Sequence, residues 1–497
     1  MAQNPQSAYR SWLGVSKDTT NGSLTSYYPS GSNTFILTNV NGTPTNAMAV
    51  VFVDGNNTET LAVSSWTSGT STLVTTTTSS FAHSANTYVF LQTAGAVGPT
   101  AFIPVTALDF HDDYVQLYDT GYRGSQATSY GAQQGMRLGN FSIGGDLFPD
   151  TFGYIAQSFF GAYDAVTSSS NVAVSSLSAA SGSVITASVA SGSYLVGQPV
   201  TFTGAVTGGS GPWSQVIGTQ TVASVGAGSN FTFTIGASVG GTPTVTGASV
   251  SSPNAYSFSP QNTSNGQPNS YLFWDYNPGN SNLRVYAKAI ISDLDIKLDP
   301  AALTKWTATG QAYASGVVAG TGSTSAAAAS VSVPTPTFST FTPVASRVGG
   351  TVIGGTAVPD TLTADYTLKR EDFGAVNTIQ GTQDPLSIFS GPVSCQVKWE
   401  IVQADDTQLN NYINQSQPSF QVSAMKSSGT AANGVFLRNT QANYEAVMVK
   451  QMGKAYVTLD GGHTGIANTT DISSAGSGYS PVRVTVATAT SGTTTIY

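Results

Sequence analysis

The stretch Val393-Ser394-Cys395-Gln396-Val397-Lys398-Trp399-Glu400 alternates strictly between apolar and polar side chains. Successive residues of a β-strand point to opposite faces of a sheet, so the alternation predicts a strand with one buried and one exposed face. Asp405-Asp406-Thr407 follows and predicts a helix that begins at an N-cap carboxylate. Leu409, Tyr412 and Ile413 form the apolar stripe of this helix, and Pro418 lies beyond its end.

The same order of elements occurs earlier in the chain. Leu108-Asp109-Phe110 predicts a strand, as Ala364-Asp365-Tyr366 does in the second half, and Pro149-Asp150-Thr151 predicts the start of a helix. Asp109 and Asp150 are 41 positions apart, as are Asp365 and Asp406. Strand, long loop, strand, helix, strand, strand therefore occurs twice, which predicts a tandem duplication.

The helix of the first half is predicted to end at Gly161, after an apolar stripe that includes Phe152, Ile155 and Phe159. The two strands that precede this helix are separated by residues 119–140, and the corresponding loop of the second half is 371–391. Both loops are longer than ordinary hairpin connections, which points to a function for them.

Composition sets the class of protein. Charged residues make up only 8% of the 497 residues, while 40% are hydrophobic, including 22 Phe, 22 Tyr and 6 Trp. This apolar content predicts a folded chain rather than a disordered one. The formal net charge is −8 and basic residues form no cluster, so tight binding of nucleic acid is not expected.

Runs without charge divide the chain. They predict a first domain built from 1–19, 94–164 and 257–315, and a second domain from 343–497. Residues 20–93 are predicted to be a β-rich insertion, and 165–256 an immunoglobulin-like β-sandwich insertion. Residues 316–342, rich in Ala, Ser, Gly, Thr and Pro, are predicted to be a linker. The expected fold class is mainly β.

The ends and the single cysteine indicate the compartment. The N-terminal residues lack the basic and apolar pattern of a signal peptide, and no stretch approaches the roughly 18 apolar residues that span a bilayer. Cys395 is the only cysteine, which excludes an intrachain disulfide framework and favours a small buried strand residue. We expect synthesis and assembly in the cytoplasm, with no membrane association.

Both halves of the chain contain short packing and turn motifs. In the first half these motifs are Phe102-Ile103-Pro104-Val105, Tyr118-Asp119-Thr120-Gly121-Tyr122-Arg123-Gly124-Ser125, Phe148-Pro149-Asp150-Thr151 and Gly266-Gln267-Pro268-Asn269-Ser270-Tyr271. In the second half they are Gly350-Thr351-Val352-Ile353-Gly354-Gly355, Leu368-Lys369-Arg370-Glu371-Asp372-Phe373, Gly381-Thr382-Gln383-Asp384-Pro385-Leu386-Ser387-Ile388-Phe389, Asp405-Asp406-Thr407-Gln408-Leu409 and Gly478-Tyr479-Ser480-Pro481. As a set, these motifs resemble those of the tail tube proteins of long-tailed bacteriophages, and the two insertions and the linker lie outside them.

The resemblance implies two tandem tail-tube β-sandwich domains, each with one short helix. Their sheets would join those of neighbouring copies in a barrel around a DNA channel, in rings of sixfold symmetry that stack into the virion tail. A chain with two such domains would close as a trimer with pseudo-sixfold symmetry, and a homohexamer is the alternative if there is no duplication. Other expected partners are the tape measure protein and the tail terminator or tip proteins, while double-stranded DNA passes through without tight binding.

Two sets of residues are candidates for the functional surfaces. Charged residues near the long loops are candidates for contacts between rings or subunits: Arg123, Lys369, Arg370, Glu371 and Asp372. Acidic residues on strands are candidates for a channel lining that repels phosphate: Asp109, Asp112, Asp113, Asp293 and Asp295. Ordinary solvated positions are the alternative for both sets.

No pattern of catalytic chemistry is evident, so neither enzyme activity nor a cofactor is expected. The three histidines are far apart, and no HExxH, CxxC pair, P-loop or GxSxG motif occurs. His111-Asp112-Asp113 lies on a strand whose alternation prevents convergence on one ion. Asp54-Gly55-Asn56-Asn57 offers Ca²⁺ ligands but fits a tight turn better. Tyr28, Tyr163 and Trp213 fit internal packing better than a glycan-binding surface.

Three classes of protein fit these observations. The first is a virion tube protein. The second is a β-rich binding protein, either a secreted or surface adhesin or another decoration or fibre protein of a virion. The third is a carbohydrate-active fibre enzyme. The absent export signal disfavours the adhesin, and the absence of an evident carboxylate pair disfavours the enzyme. A non-contractile, siphovirus-like tail is favoured over a contractile one, because outward-projecting insertions would collide with a sheath.

Overall fold

A computed structural model describes residues 12–95, 97–120, 129–262, 266–276, 283–318, 342–378, 383–426, 433–451, 456–468 and 479–488. The protein is mainly β, as predicted, and the described residues contain two α-helices. The strands form two large sheets shared by both halves, a closed six-stranded barrel and a seven-stranded module.

The described chain begins with one strand of the two large sheets, called here the body, and then forms the barrel. Strand β1 (Trp12–Lys17) precedes the barrel strands, which are β2 (Asn21–Leu24), β3 (Thr34–Asn41), β4 (Met48–Val53), β5 (Glu59–Thr67), β6 (Thr72–Thr75) and β7 (Tyr88–Thr93). They close in the order β2-β3-β6-β5-β4-β7, so 20–93 contains the whole barrel. Phe35 and Phe52 fill its interior, where no solvent reaches.

Three strands and a helix of the body follow, namely β8 (Ala101–Ile103), β9 (Ala107–Asp119), β10 (Gly131–Asp146) and α1 (Pro149–Phe160). Proline at the first helical position fixes a helical φ and lacks only an N–H that would have no partner. Gly161 ends the helix with φ +90°, and a Cβ there would lie 2.8 Å from Pro268. The helix therefore spans the predicted residues, although its N-cap is Phe148 and Asp150 lies in the first turn.

A second module interrupts the first half between two strands that pair with each other, β11 (Gly161–Val166) and β19 (Asn254–Pro260). Its strands are β12 (Ser169–Ser181), β13 (Val184–Val189), β14 (Pro199–Thr207), β15 (Gly218–Thr221), β16 (Ser224–Val225), β17 (Asn230–Thr234) and β18 (Thr244–Ser252). They lie in the order β15-β14-β18-β12-β13-β17-β16 around a separate core that includes Phe202, Phe233 and Trp213.

The first half ends with β20 (Tyr271–Tyr276), β21 (Leu283–Leu298), β22 (Lys305–Ala312) and β23 (Gly316–Val318). Strand β23 pairs with the start of β21, so residues 316–318 belong to a sheet rather than to a linker. The remainder of the predicted linker, up to residue 341, lies outside the described residues.

Within the described residues, the second half contains eleven strands and one short helix. They are β24 (Ala345–Ile353), β25 (Thr356–Ala357), β26 (Thr361–Arg370), β27 (Gly374–Val376), β28 (Ser387–Phe389), β29 (Val393–Val402), α2 (Thr407–Ile413), β30 (Phe420–Met425), β31 (Gly434–Asn439), β32 (Gln441–Lys450), β33 (Thr458–Ile466) and β34 (Arg483–Thr488). Cys395, Val397 and Trp399 face inward on β29, as their alternation predicts.

One hydrophobic core runs through both halves. It contains Leu13 and Ile155 of the first half together with Tyr366 and Val484 of the second. Helix α1 has eleven of its twelve residues buried because it packs on β21 and is covered by β11, β19 and β34. The two halves are therefore one packing unit.

Candidate assembly surface

An eight-stranded antiparallel sheet crosses both halves in the order β9-β10-β22-β21-β26-β29-β33-β32. Its middle is the pairing of β21 with β26, which joins the two halves and is called here the internal junction. There Asp293 lies opposite Lys369, Ile296 opposite Tyr366 and Lys297 opposite Asp365. The halves are thus joined by backbone pairing as well as by their shared core.

Strand order is the same on the two sides of the internal junction. The first half contributes β9-β10-β22-β21, and the second contributes β26-β29-β33-β32, with the helix between the second and third of these strands along the chain in each half. The strands that pair outside the eight-stranded sheet, called here the companion sheets, also correspond. The order β8-β1-β20-β21-β23 in the first half matches β25-β24-β30-β31-β34 in the second, with β31 and β32 together corresponding to the long β21. A register shift also recurs at the same place, beside Ser292 in β21 and beside Glu445 in β32.

The sheet has two open edges. Strand β9 pairs only with β10, and β32 pairs only with β33, among the strands that the structure describes. Met448 and Val449 on β32 are 59% and 38% exposed, whereas Ile296 at the internal junction is fully buried. An unpaired edge with exposed apolar side chains is a site for pairing with another chain.

One face of the eight-stranded sheet packs on the core, and the other carries most of its charge. The carboxyl groups on the second face belong to Asp109, Asp113, Asp146, Asp293, Asp295, Asp365, Glu400 and Asp460. The lysines on it are Lys297, Lys305, Lys369, Lys398 and Lys450. Acidic groups outnumber lysines on this charged face, and four of the five acidic candidates lie there.

Asp112 is the exception among those candidates, because it lies on the opposite face of β9. Its carboxylate accepts hydrogen bonds from the backbone N–H of Ser315, at 2.8 Å, and from the hydroxyl of the same residue. Strand alternation therefore places Asp112 on a different face from Asp109 and Asp113, although all three were predicted as candidates for the same surface.

Arg370 also differs from its prediction as a contact between subunits. Only 6% of it is exposed, and its guanidinium donates to the carbonyls of Phe159 and Phe160 at the end of α1, and to that of Gly391. It closes the C-terminus of a helix in the other half of its own chain, where a cation is favourable. Burial lowers the pKa of Arg370 to about 10.

The other contact candidates differ in their surroundings. Lys369, Glu371 and Asp372 are exposed, and the carboxylate of Glu371 accepts a hydrogen bond from the hydroxyl of Ser394. Asp372 has a positive φ of 50°, which fits a turn position. Arg123 lies outside the described residues.

The described parts of loop 371–391 pack on the first half of the same chain. Arg137 on β10 forms a bidentate ion pair with Asp384, at 2.5 and 2.6 Å, and its backbone N–H donates to the carbonyl of Gln383. Ile388 is buried beside the barrel, and the hydroxyl of Tyr313 donates to the carbonyl of Leu386. These parts of the loop are therefore held within their own chain.

A buried polar cluster connects the same loop to the barrel, because Arg137, the partner of Asp384, also lies 3.5 Å from Asp54. His83 is fully buried, stacks on Phe52, and lies 2.7 Å from Glu59 and 3.4 Å from Asp54. Burial lowers the pKa of His83, but the hydrogen bonds with the two carboxylates outweigh it and raise the pKa above its ordinary value. The cluster escaped prediction because its members are distant in sequence and Asp54 has the pattern of a turn residue.

The two predicted helices differ in burial. Tyr412 and Ile413 of α2 are exposed, at 37% and 64%, although their spacing predicted a buried stripe. Asp406 is the N-cap residue but makes no capping bond, and Asp405 accepts the hydrogen bond from the N–H of Thr407 instead. Among the described residues α2 packs mainly on β32, and Leu409 is the member of its apolar stripe that contacts the core.

The remaining motifs have structural roles. Asp54 precedes a 3-10 turn, Gly55–Asn57, and interacts with His83 and Arg137. The hydroxyl of Tyr28 accepts from the N–H of Ile36, Trp213 is buried, and Tyr163 packs on Phe258.

Cys395 is fully buried, with its pKa raised to about 12 by burial. Burial has the opposite effect on His463, whose pKa it lowers to about 3. Within the described ranges, no three His, Cys, Asp or Glu side chains are grouped to hold a metal ion, and no helix is long and apolar enough to cross a membrane.

Comparison with known proteins gives no match to this chain, either among protein-family models or among curated proteins.

Proposed function

We propose that this chain is a structural protein of a phage virion, whose copies close into rings of three that stack into a tail tube. The observation that carries the proposal is the internal junction. It pairs β21, the counterpart of β32, with β26, the counterpart of β9. The chain thus already contains one copy of the contact that its two open edges can make with neighbouring copies.

Ring closure follows from the polarity of that contact. Joining β32 of one copy to β9 of the next is a head-to-tail contact. Such contacts give a closed ring when the rotation from each copy to the next is a whole fraction of 360°. Three chains of eight strands would form a barrel of 24 strands and leave no open edge. Membrane barrels of about 16–18 strands already enclose an aqueous channel, so 24 strands leave a wider one.

The charged face of the eight-stranded sheet suits a channel for DNA. Eight carboxyl groups and five lysines interleave on it, so an excess of negative charge opposes adhesion of phosphate. Lys297 and Asp365 are direct cross-strand neighbours, and their attraction limits the lysine charge available to DNA. This supports passage of DNA without tight binding.

The hairpin of β9 and β10 supports stacking of rings. Its distal part carries exposed apolar side chains at Tyr114, Val115, Leu117, Tyr118 and Met136. Exposed apolar groups concentrated on one projection indicate a contact surface for another molecule. In the proposed tube this hairpin contacts the adjacent ring.

Both added modules leave the body from the companion sheets. The barrel lies between β1 and β8, and the stem of the seven-stranded module, β11 and β19, extends the sheet that contains β34. Among the described strands, none of either module pairs with the eight-stranded sheet. This supports a tube with modules on its outer surface and hence a non-contractile tail, in which the tape measure and the terminator or tip proteins are the further partners.

Negative-stain electron microscopy of the purified protein tests the proposal. We expect rings or hollow tubes with three two-lobed subunits per ring. A hexagon of six whole chains would keep the tube and overturn the trimer. Chains that stay monomeric at high concentration, even with a tail-initiation complex, would favour an adhesin or a decoration or fibre protein.

A further inference from the structure

Two rows of residues fix how the halves correspond. Across the first half the register runs Asp109, Ser142, Thr309, Asp293, and across the second it runs Asp365, Lys398, Gly462, Ala446. Each row starts at an aspartate of the first strand and ends at the residue that follows the register shift of the last strand. Asp109 therefore corresponds to Asp365, and Ala446 corresponds to Asp293.

Counting along the strands from this match extends it to the edge. Lys297 is four residues beyond Asp293, and Lys450 is four residues beyond Ala446. At the internal junction Lys297 lies opposite Asp365. The corresponding pair across two copies consists of Lys450 and Asp109.

We propose that two copies join with Lys450 of one opposite Asp109 of the next and Val449 opposite Phe110. This inference rests on the proposed tube function and specifies the register of its subunit contact. It repeats at the open edges the ion pair and the apolar pair, Ile296 with Tyr366, of the internal junction.

The edge residues have the properties that this register requires. Lys450 is 54% exposed at its side chain, and Asp460 of its own chain, its present partner, leaves other donor positions of the ammonium group available. Val449 is 38% exposed and Phe110 8%, whereas both members of the internal apolar pair are fully buried. Pairing of two copies would thus bury apolar side chains that the isolated chain leaves partly exposed.

Shifted registers lose this match. A slip of one residue turns the apolar side chains to the charged face. A slip of two residues places Lys450 opposite His111 or Ala107 instead of a carboxylate. Within two residues of the proposed register, only that register retains both the ion pair and the apolar pair. A slip of four residues would place Lys450 opposite Asp113 and Val449 opposite Tyr114, and the control variant described below distinguishes that register.

Disulfide trapping tests the register directly. In the variant Lys450→Cys/Asp109→Cys, the two thiols of one chain lie seven strand spacings apart, roughly 34 Å, and cannot join. Opposed residues of adjacent copies have Cβ atoms about 4.5–5.5 Å apart, which slight adjustment allows a disulfide to bridge. The native Cys395 is buried and does not compete.

We expect mild oxidation of assembled rings to give two-chain and three-chain bands on a non-reducing gel. The matched control Lys450→Cys/Asp113→Cys moves one thiol four residues, about 13 Å, along the strand and should give monomers only. Cross-linking in the control, or in neither variant, within rings of normal appearance overturns the register but leaves the tube function intact. A wild-type chain that forms no rings overturns both.

Charge reversal gives an independent readout in the same assay. Lys450→Glu and Asp109→Lys should each reduce ring yield at least tenfold, and the double variant should restore most of it. Unchanged yield in both single variants contradicts the proposed pairing, provided that each purified chain melts at the wild-type temperature.

Discussion

Replacement of Arg370 by methionine separates a role inside the chain from a role between subunits. The guanidinium makes four hydrogen bonds of 2.6–3.1 Å to three backbone carbonyls, two of them at the end of α1. Hydrogen bonds from a charged group contribute about 1.5–3 kcal/mol each, and burial of the charge offsets part of this sum. We expect Arg370→Met to lower the free energy of unfolding by about 2–4 kcal/mol.

The assay is thermal unfolding of the unassembled chain, followed by circular dichroism and calorimetry. The entropy of unfolding is about 2.1 cal/mol/K per residue, so for a packing unit of about 300 residues 1 kcal/mol shifts the melting temperature by about 1.5 °C, and we expect a loss of roughly 3–6 °C. Lys369→Met is the matched control, because its side chain is exposed on the same strand and should cost at most about 0.5 kcal/mol.

Two results would refute this argument. Equal melting temperatures for the two variants would mean that the helix end does not depend on the guanidinium. An Arg370→Met chain of wild-type stability that fails to assemble would place the side chain between subunits, as the sequence alone suggested.

Three further predictions concern the barrel, the strand packing and the charged face. Because the folded-state pKa of His83 is raised, its contribution to stability is complete below the unfolded pKa of about 6.5 and is lost as pH rises through the folded pKa. The melting temperature of the barrel should therefore be lower at about pH 9 than at about pH 6. His83→Gln should remove this difference. Gly461→Ala should cost about 1–3 kcal/mol in chemical denaturation, since a Cβ there would lie 2.1 Å from the Trp399 ring, whereas Gly374→Ala meets no atom within 4 Å and should change little. In assembled tubes, Asp295→Lys should introduce DNA retention that disappears as salt is raised, measured by co-sedimentation, and retention equal to wild type would contradict a channel-facing position.

Local patterns predicted the elements well where a single strand or helix decided the outcome. Alternation along Val393–Val402 gave the strand and its buried face, and the proline and glycine around α1 gave both of its ends. These signals work because backbone geometry alone fixes them. The predicted buried stripe of α2 failed because burial depends on what covers a helix, which its own periodicity does not specify.

Residues whose roles depend on distant partners were not predictable. Arg370 looks like a turn residue in sequence, yet its partners are 21 to 211 positions away. Asp112 was grouped with its neighbours although alternation sends it to the other face, where Ser315 binds it. In a chain with only 8% charged residues, each buried charge needs a specific partner, and sequence does not reveal which one.

The charges on the two open edges argue for head-to-tail pairing over pairing of like edges. If two β9 edges met, Asp109 and Asp113 of one copy would face the same carboxylates of another, and like charges directly opposite destabilise a sheet. Two β32 edges paired antiparallel over their full length would place Lys450 opposite Gln441 of the other copy, without a carboxylate partner, and would set two bulged strands against each other. Pairing β9 with β32 places a carboxylate against an ammonium and leaves complementary edges at both ends, so addition of copies continues until the ring closes.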